Sequence, residues 1–260
     1  MSDEIKKSGG ARGRVARPRV LEPLVQESTP AIIARQLRAA IAKGDFPPGS
    51  QLTESGLAAD LGVSRGPLRE AMQRLTQEGL LVSYRNRGLF VITMDDDDIR
   101  DMYVARAAVE RAALEQVILR RPDDAVDVLT AAVEEMERHA DDPNGPQIAD
   151  ADMAFHHELV ELAGSPRLSR LHETILVETR MCLGAMRGTY VSAEERISEH
   201  RRIVSAIAQR DTKSADELMV DHMRDGLRRI IAEPGAVSQF GGAAITSSPN
   251  VPVDRPAPGR

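Results

Sequence analysis

Three histidines and one aspartate in the second half of the chain have a spacing that metal chemistry can use. Asp152 and His156 are four residues apart in a helical pattern, which places both side chains on one face of a helix. His200 and His222 fall in two later helical segments, whereas His172 has no partner at a matching spacing. Imidazoles with a carboxylate suit Zn, Ni, Mn or Fe. Because single histidines are commonly surface or hydrogen-bonded residues, the spacing alone also fits a purely structural role.

Arginines form the second group of side chains with chemical potential. Arg65 and Arg69 are four residues apart near the start of a short predicted helix, directly after Ser64, its expected N-cap. Arg85 and Arg87 flank the polar turn of a predicted hairpin. A guanidinium offers two parallel donors to O6 and N7 of guanine. Each arginine taken singly fits a solvated surface charge, but four at the protruding points of one motif favour DNA binding.

The segment that carries these arginines is predicted to be three helices followed by a two-stranded hairpin. Apolar residues recur at helical spacing in three runs, which end at Gly44, Gly62 and Gly79. Residues 80–84 and 89–93 have the composition of short strands around a polar turn. This order is the plan of a winged helix-turn-helix, whose recognition helix enters the major groove of DNA by its N-terminal end.

The second half of the chain is predicted to be an antiparallel bundle of six to seven helices. Helical patterns run at about 95–120, 123–140, 147–163, 166–186, 193–209 and 212–232. The expected fold class is therefore mainly α, with a winged helix-turn-helix at 28–94 and a helical effector-binding and dimerisation domain at 95–233. Residues 1–27, a basic segment, and residues 234–260, rich in Gly, Ser and Pro, are expected to be disordered tails.

Composition and charge restrict the possible classes of function. Residues 1–94 carry 14 basic and 9 acidic side chains, whereas residues 95–260 carry 20 basic and 31 acidic ones, so the two parts suit different partners. A single cysteine excludes an internal disulfide framework and a cysteine-based zinc cluster. No apolar run approaches the roughly 20 residues that span a bilayer, and no secretory signal is evident. We therefore expect a cytoplasmic protein with no membrane partner.

Several motifs in the first half of the chain resemble the GntR family of bacterial transcription regulators. They are GDFPPG at 44–49, LAADLGVSRGPLREA at 57–71, EGL at 78–80 and GLFV at 88–91. The resemblance covers residues 30–93 almost continuously. It implies that Arg65 and Arg69 read the bases of a double-stranded operator and that the wing at Gly88 meets the minor groove.

A looser resemblance covers residues 98–230 and is to the FCD ligand-sensing domain of the FadR-type subgroup of GntR regulators. It is carried by residues 106–110, 152–159 and 199–203 and by His222. In that subgroup the matching aspartate and three histidines bind a divalent metal within a helical bundle, and the metal helps to hold a small carboxylate effector. The implied ligands here are Asp152, His156, His200 and His222, with zinc as the first choice and nickel, manganese or iron as alternatives.

Arg106 is the expected clamp for the effector carboxylate. An ion pair with Glu110, four residues further along the helix, explains this arginine equally well. The function expected from the two resemblances is a homodimeric transcription repressor of the bacterial cytoplasm and nucleoid, whose operator affinity responds to a small organic acid. The helical domain would hold two recognition helices about one turn of DNA apart.

Two other classes of function are open to the same residues. One is a metal-dependent hydrolase or oxidase that uses the Asp/His₃ site. No convincing general base accompanies that site, since Glu158, the nearest acid in sequence, lies about 160° around the helix from His156. The other is a nucleoid-structuring protein that binds DNA without sequence preference, for which operator and random DNA would bind equally well.

Overall fold

The structure, a computed structural model, describes residues 27–185 and 192–231. The two expected tails lie outside these residues, apart from Glu27. The described parts contain nine α-helices and three short β-strands, so the expected fold class, mainly α with a small wing, is confirmed. None of the described helices combines the length and the apolar character needed to cross a membrane.

The N-terminal region has the order of a winged helix-turn-helix. Its elements are α1 (Thr29–Lys43), β1 (Gln51–Leu52), α2 (Glu54–Leu61), α3 (Arg65–Gln77), β2 (Leu81–Tyr84) and β3 (Gly88–Val91). Ser28 caps α1 by accepting a hydrogen bond from the Ala31 N–H, and Gly44 ends the helix with φ of 84°. Gly62 provides the tight turn between α2 and α3 with φ of 62°.

The wing is a three-stranded antiparallel sheet in the order β1-β3-β2, rather than the two-stranded hairpin that the sequence predicts. In the register of β2 and β3, Tyr84 lies opposite Gly88. The additional strand β1 pairs Gln51 with Phe90 and buries Leu52. Two residues are too few to show the alternation of polar and apolar side chains that marks a strand.

The C-terminal region is built from six helices with short connections. They are α4 (Asp96–Arg120), α5 (Pro122–Arg138), α6 (Pro146–Leu162), α7 (Pro166–Ala185), α8 (Ala193–Ala208) and α9 (Thr212–Ile231). Asp95 and Asp98 form a capping box that starts α4, and a proline stands in the first turn of each of the next three helices. These bounds lie within about two residues of the predicted ones.

Helix α4 is the central element of the bundle. It packs against α6, α7 and α9, while α5 packs against α6 and α8. Phe155 and Leu159 of α6 are fully buried in the core. Helix α1 packs against α7, so the two regions share a contact surface. Helix α7 therefore connects the bundle with the N-terminal region.

Candidate metal cluster and DNA-binding surface

The N-terminal end of α3 presents the side chains that were expected to meet DNA. Ser64, Arg65 and Arg69 are exposed, whereas Leu68 and Met72 of the same helix are buried. Ser64 holds the extended conformation of an N-cap, but its hydroxyl makes no capping hydrogen bond. That hydroxyl and the first N–H groups of α3 are available to a phosphate oxygen.

The guanidinium of Arg69 is held by a carboxylate that sequence reasoning did not identify. Its Nε donates to Oε1 of Glu54 over 3.0 Å, and its Nη2 donates to Oε2 over 2.9 Å. Glu54 is the first residue of α2, so the pair joins the two helices of the helix-turn-helix motif. The pair raises the pKa of Arg69 and lowers that of Glu54, so both groups are charged.

The tip of the wing carries Arg85, Arg87 and Gly88, all of them exposed. The guanidinium carbon of Arg87 lies 5.8 Å from the centre of the Tyr84 ring and 5.6 Å from that of Phe90, distances typical of cation–π contacts. Gly88 has φ of 101°, and a Cβ at this position would lie 3.0 Å from Nε2 of Gln51. Gly88 therefore shapes the turn through its backbone.

Four side chains from three helices meet inside the bundle. Asp152 and His156 lie on α6, His200 on α8 and His222 on α9. One ligand atom from each residue lies within 4.8 Å of the others, so these residues form a group that could hold a metal ion. Nε2 of His156 lies 3.4 Å from Nε2 of His200 and 3.2 Å from Nε2 of His222.

Nδ1 of each imidazole lies within hydrogen-bond distance of an oxygen atom that can accept its proton. Nδ1 of His156 lies 2.6 Å from Oε2 of Glu110, and Nδ1 of His222 lies 2.8 Å from Oε2 of Glu199. Nδ1 of His200 lies 2.8 Å from the Arg196 carbonyl oxygen. Each neutral ring therefore carries its proton on Nδ1, which leaves three Nε2 lone pairs directed at one another.

The protonation states of two of the three imidazoles agree with this assignment. Burial disfavours the charged imidazolium and lowers the pKa of His156 and that of His222 to about 3, so both rings are neutral at pH 7. Oδ1 of Asp152 lies 3.1 Å from Nε2 of His200 but accepts no hydrogen bond, although it is buried.

A cation fits this donor set better than hydrogen bonding does. Three lone pairs and an unpaired carboxylate oxygen repel one another unless a positive charge lies between them. Nitrogens about 2.0–2.1 Å from a tetrahedral zinc ion lie roughly 3.3 Å apart, close to the separations in the cluster. The hydrogen-bonded Nδ1 groups match the outer partners that commonly orient metal-binding histidines. The residues present therefore fit a divalent metal.

Arg106 and Glu110 form a buried ion pair next to the cluster. Nε of Arg106 donates to Oε1 of Glu110 over 2.8 Å, as one of the two sequence-based explanations predicted. The same oxygen lies 3.0 Å from Nε2 of His172. Burial alone would raise the pKa of Glu110, but His156 and Arg106 outweigh it and hold the pKa well below its usual range. Nη2 of Arg106 is buried and has no hydrogen-bond partner.

A surface cleft opens beside the cluster at His222. Its lining residues are mostly charged and come from α8 and α9: Glu199, Arg202, Leu218, Asp221, His222, Arg224, Asp225 and Arg228. Three arginines and three acidic residues share this lining, and about a tenth of the His222 side chain is exposed. The cleft therefore reaches the edge of the cluster at His222.

Comparisons with known proteins match two family models to separate parts of the chain. Residues 31–91 match the model described as bacterial regulatory proteins, gntR family, and residues 101–225 match the FCD domain. The Nta operon transcriptional regulator of Aminobacter aminovorans is 30% identical over 186 residues, which are 72% of this chain and 87% of the relative. The chain belongs to the GntR family.

Two further known proteins are similar to this GntR regulator. The HTH-type transcriptional repressor GlaR of Escherichia coli K12 is 30% identical over 197 residues, 73% of this chain and 90% of the relative. A crystal structure of a GntR transcriptional regulator from Rhodococcus sp. RHA1 is 29% identical and has a TM-score of 0.62, covering 79% of this chain and 99% of that one. These proteins are transcription regulators, so the chain is a DNA-binding regulator and not an enzyme. The hydrolase and oxidase alternative is accordingly wrong.

Proposed function

We propose that this GntR regulator is a sequence-specific repressor whose affinity for operator DNA is set by a small carboxylate bound at a divalent metal. The observation that carries the proposal is the buried cluster of three unprotonated Nε2 atoms around an orphaned oxygen of Asp152. Such a cluster is costly in a protein whose only task is to bind DNA, because buried polar groups without partners destabilise the fold. A bound ion removes that cost.

Recognition of the operator is assigned to two protruding parts of the N-terminal region. Helix α3 would enter the major groove, where Arg65 and Arg69 face base edges while the hydroxyl of Ser64 contacts a phosphate. The wing would follow the minor groove or backbone with Arg85, Arg87 and the backbone of Gly88. Two copies of the chain in a homodimer would read two half-sites about one helical turn apart.

The metal would be held by Asp152, His156, His200 and His222, with zinc preferred over nickel, manganese or iron. When bound, it supplies a coordination position for an oxygen of an organic acid. Arg106 would donate from its unpaired Nη2 to the other carboxylate oxygen, while its Nε remains on Glu110. The cleft at His222 would admit the acid from the cytoplasm.

A chain of polar contacts connects the cluster with the end of the recognition helix. Nε2 of His172 lies 3.0 Å from Oε1 of Glu110, and the next residue on α7, Glu173, lies 2.7 Å from Nη1 of Arg38. Arg38, on α1, also donates two hydrogen bonds of 2.9 Å to the carboxylate of Glu78, which directly follows α3. An acid that shifts Glu110 or α7 would thereby change the orientation of α3.

The test uses the full-length protein loaded with zinc and the duplex that it selects from a random DNA library. Acetate, lactate, succinate and citrate are added singly, and operator affinity is measured by fluorescence anisotropy. We expect at least one acid to weaken operator binding about fivefold or more, in keeping with ordinary coupling energies. The Arg106→Lys variant should lose most of this response while it keeps the metal. If no duplex is selected, the DNA-binding assignment fails.

A further inference from the structure

The pair between Glu54 and Arg69 places a negative charge where a DNA-binding surface is expected to be positive. Glu54 begins α2, and its side chain is about one-third exposed beside the start of α3. A carboxylate in this position repels phosphates and so weakens binding to DNA of any sequence. The simplest structural reason for it is the helix dipole, because acidic residues stabilise the first turn of a helix. That reason does not require two parallel hydrogen bonds to an arginine of α3.

The hydrogen bonds occupy one edge of the guanidinium and leave another edge open. Arg69 has five N–H donors, of which Glu54 engages Nε–H and one Nη2–H. The remaining donors are the two on Nη1 and the second one on Nη2. The outer pair, one from each of these nitrogens, is parallel and matches the spacing of guanine O6 and N7. Glu54 and a guanine can therefore bind the same guanidinium from two sides.

Arg65 provides the contrast within the same helix. It is exposed at the first position of α3 and contributes to lowering the pKa of Glu54, but none of the hydrogen bonds or ion pairs among the described residues involves its guanidinium. A long side chain of this kind loses rotamer freedom when it binds a base. The side chain of Arg69, although two-thirds exposed, already has its guanidinium plane fixed by α2. The two arginines thus differ in how much ordering remains for DNA to impose.

We propose that Glu54 is a positioning residue for base recognition, which holds Arg69 ready to read one guanine in each half-site. This inference rests on the proposed function, in which α3 enters the major groove. Glu54 weakens attraction to the phosphate backbone and strengthens discrimination between bases. The ratio of specific to non-specific affinity therefore depends on a residue that itself touches no DNA.

The experiment compares Glu54→Gln with Glu70→Gln in the full-length protein. Glu70 is an exposed acid on α3 next in sequence to Arg69, so its substitution removes the same charge from the same surface without breaking the pair. Two duplexes are used at one salt concentration: the one that the wild type selects from a random library, and a scrambled duplex of equal length. Thermal unfolding of each variant confirms that the fold is retained.

We expect Glu54→Gln to bind the scrambled duplex as well as the wild type does or up to threefold better, and to lose tenfold or more of the selected-to-scrambled ratio. Glu70→Gln should keep the ratio. In the double variant Glu54→Gln/Arg69→Ala the ratio should be no lower than in Arg69→Ala alone, because Glu54 acts through Arg69. A fresh selection with Glu54→Gln should lose its preference for guanine at one position of each half-site.

Two results would overturn the inference. If Glu54→Gln raises affinity for both duplexes equally, the pair opposes DNA binding and must break when DNA binds. It then does not help Arg69 to recognise a base. If it changes neither affinity, the pair belongs to the fold alone. Failure of the proposed function is distinguishable, because Arg69→Ala would then also keep the wild-type ratio. A loss with Arg69→Ala but not with Glu54→Gln overturns only the positioning role.

Discussion

The two regions of the molecule keep their functional polar groups in opposite environments. In the N-terminal region the arginines of α3 and of the wing are exposed, and the pair between Arg69 and Glu54 lies in solvent. In the C-terminal region Glu110, His156 and His200 are fully buried. Exposed positive charges suit a large polyanion such as DNA. Buried nitrogen and oxygen atoms with free electron pairs suit a small cation.

This difference determines what a substitution does in each region. An exposed ion pair contributes little to folding because water and salt screen it, so its loss is felt mainly in binding. A buried pair is costly to break, since the remaining partner is left charged in a medium of low dielectric constant. Substitutions in the N-terminal region should therefore separate DNA binding from stability, whereas those around the cluster should couple metal, stability and response.

The largest effect is expected from Glu110→Ala. This change leaves Arg106 as a buried charge and removes the acceptor of two histidines. The free energy of unfolding should fall by about 3–5 kcal/mol. Urea unfolding followed by circular dichroism measures it, with Glu54→Ala as the exposed counterpart that should shift the midpoint far less. Equal destabilisation by the two variants would remove the contrast between the regions.

The next effect concerns the metal. Zinc at about 100 times its dissociation constant should stabilise the wild type by roughly 2.7 kcal/mol, because only the folded cluster binds it. His200→Ala should bind little zinc and show little thermal shift, whereas His157→Ala should behave as the wild type because that side chain is exposed. Elemental analysis after dialysis, combined with thermal unfolding, provides the measurement. Unchanged zinc content in His200→Ala would exclude this histidine as a ligand.

The arginines of α3 come third. Arg65→Ala and Arg69→Ala should each lower affinity for the selected duplex about 5- to 150-fold and relax base preference at one position. Arg74→Ala is the control, since this exposed arginine lies at the other end of the same helix. Anisotropy titrations measure the affinities, and all three variants should unfold at the wild-type temperature. Tight, selective binding by both N-terminal variants would mean that α3 is not the recognition helix.

A smaller effect should appear at the contact between the regions. Arg38→Gln removes the links to Glu78 and Glu173, so the weakening of operator binding by an active acid should shrink about twofold or more. Operator affinity without the acid should change less. Glu161→Gln, an exposed change on α6, serves as the control. If Arg38→Gln keeps the full response to the acid, coupling does not pass through this arginine.

The smallest effect is a dependence of stability on pH. Burial, with Asp98 and Asp101 nearby, raises the pKa of Glu178 to about 7 from its ordinary 4.5. Between these values the folded state keeps a proton that the unfolded state has lost, so the unfolding free energy falls as pH rises. Discounted for partial exposure, the change is about 1 kcal/mol. Urea unfolding at about pH 5 and pH 8 should show a smaller difference for Glu178→Gln than for the exposed control Glu115→Gln.

Much of the fold could be predicted because the sequence contains clear signals for the starts and ends of helices. Gly44, Gly62 and Gly79 mark the ends of the N-terminal helices, and prolines or aspartates start most of the later ones. Strand β1 could not be predicted, since its two residues gain their conformation from pairing with β3. Tertiary contacts rather than local preference decide such short elements.

Of the candidate metal cluster, the sequence predicted the four candidate ligands but not the residues that surround them. The four candidate ligands meet as the resemblance implied, but the roles of Glu110, Glu199 and His172 depend on how helices are rotated against one another. One signal was present, because Arg106 and Glu110 lie on the otherwise apolar face of α4. The acceptor at Nδ1 of His200 is a backbone carbonyl, which no side-chain pattern can reveal.

The affinity of the N-terminal region for DNA is expected to depend on whether the buried cluster holds a metal. The most direct measurement is the affinity of the full-length protein for its selected duplex in the presence of an active acid, after chelation with phenanthroline, which carries no carboxylate, and again after zinc is restored. We predict a reversible change of about fivefold or more in the wild type and none in His200→Ala. Identical affinities in all four measurements would contradict the account.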